Sequence, residues 1–314
     1  MCRLRTITDV DACQELWQRN MPRERLTDLW EVRACFHRHY QRPLRFLVAE
    51  EGDESAGFLP LSWIEEANCY GYFPGEVWHG KTWLEQNRIP GADDRVLSAL
   101  QGQCVSGLHL PYLLPLASCT HECYAVDEVG YLFLPPRYDY DIANYFGEFS
   151  HRSAKRLQRE LDAFESRNLE LRHDDLDDFA LLVALNLDRF GADSYFHDPR
   201  FLGGFRSLMH LLDDRGWLRL TTVIIDGEVA AVDMGSVYGG TYTLLAGGTN
   251  ARHPGVAKFI NMHHMRRSCQ DRFDCVDFLC GDFSWKTLSH LTPRPLYRLT
   301  TPHDCACGPV PNPN

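Results

Sequence analysis

The chain has 314 residues, 44% of them hydrophobic and 24% charged, which is the composition of a folded globular protein and excludes a disordered one. Its formal net charge of -11 argues against a broad nucleic-acid footprint, which needs a clustered excess of cations, so no DNA partner is expected. No stretch approaches the roughly 18 to 20 apolar residues that span a bilayer, and Met1-Cys2-Arg3-Leu4-Arg5 does not open a signal-peptide core, so the expected location is cytoplasmic.

Taken in chain order, the first third mixes helix and strand. Asp9 to Trp17 and Asp28 to Tyr40 read as helices. Leu44 to Glu50 and Gly57 to Ile64 read as a hairpin around Gly52-Asp53-Glu54, with a third strand at Tyr70 to Phe73. A short helix is expected at Asp93 to Gln101, and strands near Leu108 to Leu113 and Tyr131 to Leu134. Pro135-Pro136 is the best candidate boundary.

The second half is more regular. Ser150 to Ser166 is helical, with Ala154, Leu157, Leu161 and Phe164 on one face and Arg152, Lys155, Arg156 and Arg159 on another. That basic face reads as solvated, with anion contact as the alternative. Leu169 to His173 is a strand, Asp177 to Phe190 a helix, and Asp198-Pro199 opens another helix with a carboxylate cap and a first-turn proline. Trp217 to Ile225, Glu228 to Val237 and Thr241 to Gly247 form a three-stranded meander through Asp226-Gly227 and Gly239-Gly240. A helix then runs to about Arg272, with Phe259, Met262, Met265, Cys269 and Phe273 spaced as core. A last strand covers Cys275 to Leu279.

This order predicts an α+β fold in which the third meander strand and the last strand are parallel neighbours joined by a helix. The N-terminus of that helix carries free N–H groups and a positive dipole end, which suit a pyrophosphate. Arg252, His253, Gly255, Val256 and Ala257 are therefore candidate cofactor contacts, together with Leu245, Ala246 and Gly247 at the end of the third strand; simple helix punctuation by His253-Pro-Gly255 is the alternative.

Three motifs carry a resemblance: Asp226-Gly-Glu-Val-Ala-Ala231, His253-Pro-Gly255 and Val276-Asp-Phe-Leu-Cys-Gly-Asp282-Phe-Ser-Trp-Lys286. From about His151 to Leu288 the chain resembles the GNAT-like acyltransferases of the cellulose-biosynthesis-associated type, a family similar to the Fem-type aminoacyltransferases. Its members show an aspartate-rich strand end, then Gly-Asp, then an aromatic-Lys pair. The resemblance implies two tandem GNAT-like domains, each a mixed, mostly antiparallel sheet with flanking helices. Residues 1–136 would be a divergent copy, 137–301 the acyltransferase domain and 302–314 a flexible tail. It also implies N-acyl transfer from acetyl-CoA or a longer acyl-CoA to an amine on a small molecule or peptide. The loop Arg252-His-Pro-Gly255-Val-Ala257 keeps only one of the family's glycines. That leaves the donor open between CoA, an acyl carrier protein and, as in the Fem-type relatives, aminoacyl-tRNA; a scaffold without catalysis is a further alternative.

Acyl transfer to an amine needs a proton acceptor and oxyanion stabilisation. Asp282 is placed to take the amine proton and Lys286, four residues on, to meet the oxyanion or a phosphate; a surface ion pair between them is the alternative. Asp233 and Asp277 stand inside predicted strands, where Asp is disfavoured, so each is either functional or hydrogen-bonded structure. In the first half, Glu76 and His79 lie among Tyr72, Phe73, Trp78 and Trp83, an aromatic setting that suits a general base beside a fatty acyl chain; a histidine satisfied structurally among the aromatics is the alternative. No metal is expected: Cys119-Thr-His121-Glu-Cys123 and His303-Asp-Cys305-Ala-Cys307 lack zinc spacing.

Overall fold

The computed structural model describes residues 3–52, 54–91, 93–102, 107–116, 124–281 and 284–301. The Cys119 and His303 clusters, the tail and Asp282 lie outside the described residues. None of the described helices is long and apolar enough to cross a membrane.

The chain divides into two compact units that are not contiguous halves. The first comprises Met1–Val129, Asp198–Leu208 and the residues from Pro295 on; the second comprises Gly130–His197 and Met209–Arg294. This differs from the expected cut at 136/137. Pro135-Pro136 opens a short helical turn, Pro135–Tyr138, inside the second unit instead of a linker.

The first unit begins with β1 (Arg3–Ile7), α1 (Val10–Asn20), α2 (Trp30–Tyr40), β2 (Leu44–Glu51), β3 (Glu54–Ile64) and β4 (Cys69–Tyr72). A small hairpin of β5 (Val77–Trp78) and β6 (Lys81–Thr82) follows, then α3 (Asp94–Gln101), β7 (His109–Leu113) and the first part of β8 (Tyr124–Phe133). β1 to β4 form an antiparallel sheet in sequence order. A parallel bridge from Tyr70 to Leu108 brings the start of the β7 segment alongside β4. Apolar residues recur on the inner faces because each helix has one stripe to bury. The core centres on Trp17, whose ring meets Trp30, Phe46, Phe58, Tyr72 and Phe73 at 5.7 to 6.4 Å and whose Nε1–H donates to the Asp28 carbonyl at 2.7 Å.

The second unit holds the rest of β8, then α4 (Ile142–Phe146), α5 (His151–Glu165), β9 (Leu169–His173) and α6 (Asp178–Phe190). The helix α7 (Pro199–Asp214) starts within the first unit's residues and ends within the second's. β10 (Leu218–Ile225), β11 (Glu228–Tyr238), β12 (Thr241–Thr249), α8 (Val256–Gln270), β13 (Cys275–Asp277) and α9 (Ser284–Leu288) follow, with β14 (Thr292–Thr300) last. β9 to β12 are antiparallel in sequence order; β13 joins β12 in parallel and the end of β8 antiparallel. The Asp226-Gly227 turn has φ of 54° and 81°, the left-handed pair a two-residue hairpin needs.

Each unit therefore repeats one order: strand, two helices, three-strand meander, helix, parallel strand. The expected tandem α+β architecture is present. Four strands were not expected from sequence: β1, the two-residue β5 and β6, and β14. β1 is short and half polar, and β14 contains Pro293 and Pro295, which argue against a strand.

Candidate functional site

The second unit contains a parting of strands. β12 and β13 pair only at Thr241↔Cys275, Tyr242↔Val276 and Thr243↔Asp277, whereas β12 runs on to Thr249. Past Asp277 the chain turns to β8, the Phe278 N–H donating to the Tyr131 carbonyl at 3.0 Å. At the parting the β11–β12 ladder shifts register: Met234 faces Ala246 and Gly235 faces Leu244, so Leu245 is an extra, bulged residue. A bulge takes its residue out of the ladder and re-aims the strand, and such features recur beside active sites.

Below that strand end, the turn into α8 is built from its own side chains. The Arg252 N–H donates to Asn250 Oδ1 (3.0 Å) and the His253 N–H to the Asn250 carbonyl (3.0 Å). Gly255, at φ 89°, takes the left-handed conformation that starts the helix without a side-chain cap. Val256 is buried in the core and Ala257 is exposed. A cleft of about 530 Å³ lies here, between α5 (Glu160, Leu161, Ala163, Phe164), Arg167 and residues 253–255, 258 and 259. His253 is only 5% exposed; its Nε2–H donates to Glu228 Oε2 at 3.0 Å, and Nδ1 has no partner among the described residues. Burial, then the Arg167 and Arg252 charges, hold its pKa below the ordinary value.

The cations around the cleft are balanced. Arg167 binds Asp226 (2.6 Å), Arg266 binds Glu165 (2.7 Å), Lys258 pairs with Glu160 and Arg252 pairs with Glu228.

Asp233 lies opposite Gly247 in the ladder, and the absent Cβ makes room for it: one built on Gly247 would sit 2.4 Å from Asp233 Oδ1. The carboxylate is 4% exposed and accepts the His264 Nε2–H at 2.9 Å. The Tyr242 Oη stands 3.4 Å from the same nitrogen, with the two rings stacked at 4.9 Å. Burial, then the Asp233 charge, drives the Tyr242 phenol well above its ordinary pKa. This buried Asp–His–Tyr set adjoins the bulge. His264 gave no sequence signal because it sits one position from His263 in a helix of apolar periodicity; only the register of α8 over β11 reveals the contact.

The other expected site residues are placed differently. Lys286 is 2% exposed and its ammonium donates to the carbonyls of Phe278 (3.0 Å), Leu279 (2.9 Å) and Cys280 (2.7 Å). It clamps the segment leading to Asp282 and is spent on backbone rather than on an oxyanion. Asp277 is held by Arg294 in a fork (2.6 and 3.2 Å) and accepts the Leu279 N–H, a structural role. Glu76 and His79 belong to the first unit. Glu76 is buried and accepts from Thr82 Oγ1 and the N–H groups of Trp83 (3.2 Å) and Leu84 (2.8 Å), so it fastens its own loop; burial raises its pKa. His79 is exposed on the β5–β6 turn, stacked on Trp78 at 4.0 Å. Of the aromatics read as an acyl-chain wall, Phe73 stacks on Trp30 at 4.6 Å and Trp83 packs against Phe201 and Phe205. Phe73 is buried in the core of the first unit and Trp83 is half-buried within the same unit.

Comparison with known proteins bears on this geometry. Residues 150–287 match the family model described as the acetyltransferase (GNAT) domain, less than half of the chain but all of the parted strands, α5 and α8. The match is to the domain at large and does not single out the cellulose-associated type. A search of curated proteins finds no match. Among solved structures the chain is similar to FemX, with a TM-score of 0.56 at 10% identity over 94% of this chain and 96% of that one. It is similar to the C-terminal domain of a putative lysylphosphatidylglycerol synthetase from Agrobacterium fabrum, at TM-score 0.53 and 10% identity over 86% and 87%. It also resembles L-PGS from Bacillus licheniformis, at 0.53 and 7% over 93% and 91%. At such identities these likenesses show the fold, and the fold is that of GNAT acyltransferases.

Proposed function

We propose that the second unit transfers an acyl group from a thioester to an amine. The observation that carries this reading is the parting of β12 from β13 at Thr243↔Asp277, with a bulge at Leu245 and a left-handed Gly255 opening α8 beside a cleft. That combination offers an open strand edge for an extended donor and a polar helix start for its distal part.

In this scheme the donor's pantetheine lies along β12 and its carbonyl oxygen meets an N–H released at the bulge. The amine nitrogen attacks the carbonyl carbon, the C–S bond breaks, and the thiolate leaves with a proton. Asp282 takes the amine proton and hands it on to the departing thiolate, while Lys286 holds Phe278 to Cys280 through three carbonyls. Asp233 and His264 keep the β11–β12 face rigid and polar beneath the bulge, so that strand geometry is set before the donor arrives.

The test is free-thiol release from acetyl-CoA and from acetyl-pantetheine in the presence of a panel of amines. Amine-dependent release that falls in Asp282→Asn by about a hundredfold or more, the usual worth of general-base catalysis, supports the reading. No release from any thioester, with product formed only from aminoacyl-tRNA, replaces it with Fem-like aminoacyl transfer.

A further inference from the structure

The charge pattern of α5 breaks the rules of an isolated helix. Arg152, Lys155, Arg156 and Arg159 fall at spacings of three and four, so they form one exposed row along the first turns. Cations belong at a helix C-terminus and like charges at i,i+4 repel, each at a cost of a few tenths of a kcal/mol. The carboxylates of the same helix lie in its last turns, the other unfavourable end. Arg156 has a loose partner in Glu160 at 3.8 Å, but among the described residues Arg152, Lys155 and Arg159 have none. This row stands on a chain of net charge -11, where free carboxylates are abundant. From the next residue, Glu160, α5 becomes the wall of the cleft, and every cation there is already matched by a protein carboxylate.

We infer that the basic row of α5 docks an acidic acyl carrier protein, which delivers its thioester arm into the adjacent cleft. The inference rests on the acyl-transfer reading above and names the donor for it. Free cations sit outside the cleft, where a protein surface lands, and paired ones inside it, where the terminal phosphates of CoA would need them. From Arg152 to Arg159 the row spans about 10 Å at 1.5 Å per residue, the length of about two turns of one acidic helix. A tRNA needs a wider basic surface than one row on an acidic chain. An anionic membrane needs apolar residues among the cations, and on α5 those turn inward: Leu161 is 1% exposed and Phe164 packs on Phe259 at 5.4 Å.

The experiment uses the full chain and a bacterial fatty-acid-synthesis acyl carrier protein, fluorescently labelled. Binding is followed by anisotropy, beside tRNA and phosphatidylglycerol vesicles. The combined variant Arg152→Glu/Lys155→Glu/Arg159→Glu should weaken carrier-protein binding about tenfold or more, and a carrier protein with its acidic helix residues changed to Lys should restore it. The ratio of kcat/KM for acetyl-carrier protein to that for acetyl-pantetheine should drop by a similar factor. Undiminished carrier-protein binding by the variant overturns the proposal. So does tRNA or vesicle binding that is tighter than carrier-protein binding and depends on the same row. Absence of product from both acetyl donors defeats the acyl-transfer reading alone, because anisotropy still decides the docking.

Discussion

At the scale of single residues, the second unit is organised by small side chains making room for polar ones. Gly247 leaves the space that Asp233 Oδ1 occupies, and Gly235 leaves the space for the Tyr242 ring. A Gly247→Ala variant must displace the carboxylate or the strand, which costs about 1–3 kcal/mol for an overpacked buried position. Urea unfolding should report that loss, and acyl transfer should fall with it, because the bulge two residues away would be displaced; unchanged stability would show that the Asp233–His264 contact is not tight. The neighbouring His263 responds to pH. Burial, then the charges of His264, His173, Arg267 and Arg266, lowers its pKa from 6.5 to about 4. Between these values the unfolded chain binds the proton and the folded one does not, so stability is full above 6.5 and falls as the pH drops towards 4. Replacing His263 with Gln should flatten that part of the stability curve, measured as the urea midpoint from about pH 7 to pH 4.5.

Among the elements, α8 shows how much of a site a sequence displays. His253-Pro-Gly255 announces a helix start, and the structure gives it one, with Gly255 at φ 89°. A β-branched residue cannot hold that conformation cheaply: Gly255→Val should cost about 1–2 kcal/mol and misdirect the first turn of α8. Its thermal midpoint should fall, and the KM for the thioester should rise more than kcat falls; an unaltered KM would separate the turn from donor binding. The meander was equally legible, since Asp226-Gly227 and Gly239-Gly240 mark its turns and alternation marks its strands. β14 was not, because Pro293 and Pro295 argue against a strand that only tertiary pairing, Tyr297 with Leu113 and Leu299 with Leu110, makes worthwhile.

For the whole molecule, the consequence is that neither unit is a continuous piece of chain. The first unit depends on Pro295–Thr300, whose Tyr297, Leu299 and Thr300 pair along the β7 edge. Deleting the chain from Pro295 should therefore loosen the first unit, although the deletion lies at the far end of the sequence. Hydrogen exchange at His109 to Leu113 should quicken by orders of magnitude while β10 and β11 keep their protection. Protection retained at β7 would show that its edge does not need β14. A cut at 136/137 should likewise yield two fragments that do not fold cleanly.

What the sequence determined by itself was local: turns, helix starts, the two periodicities, and the three motifs that carry the resemblance to GNAT-like acyltransferases from about His151 to Leu288. These follow from backbone conformation and side-chain spacing, which neighbours in the chain decide. What only the tertiary structure decided was partnership. Lys286 reads as a free cation beside Asp282, yet its ammonium lies buried among three carbonyls. Glu76 reads as a base and is a loop fastener, while His264, which gives no sequence signal, is the partner of Asp233. A buried charge or polar group must find partners wherever the fold brings them, often far along the chain, and a linear sequence carries no record of that distance.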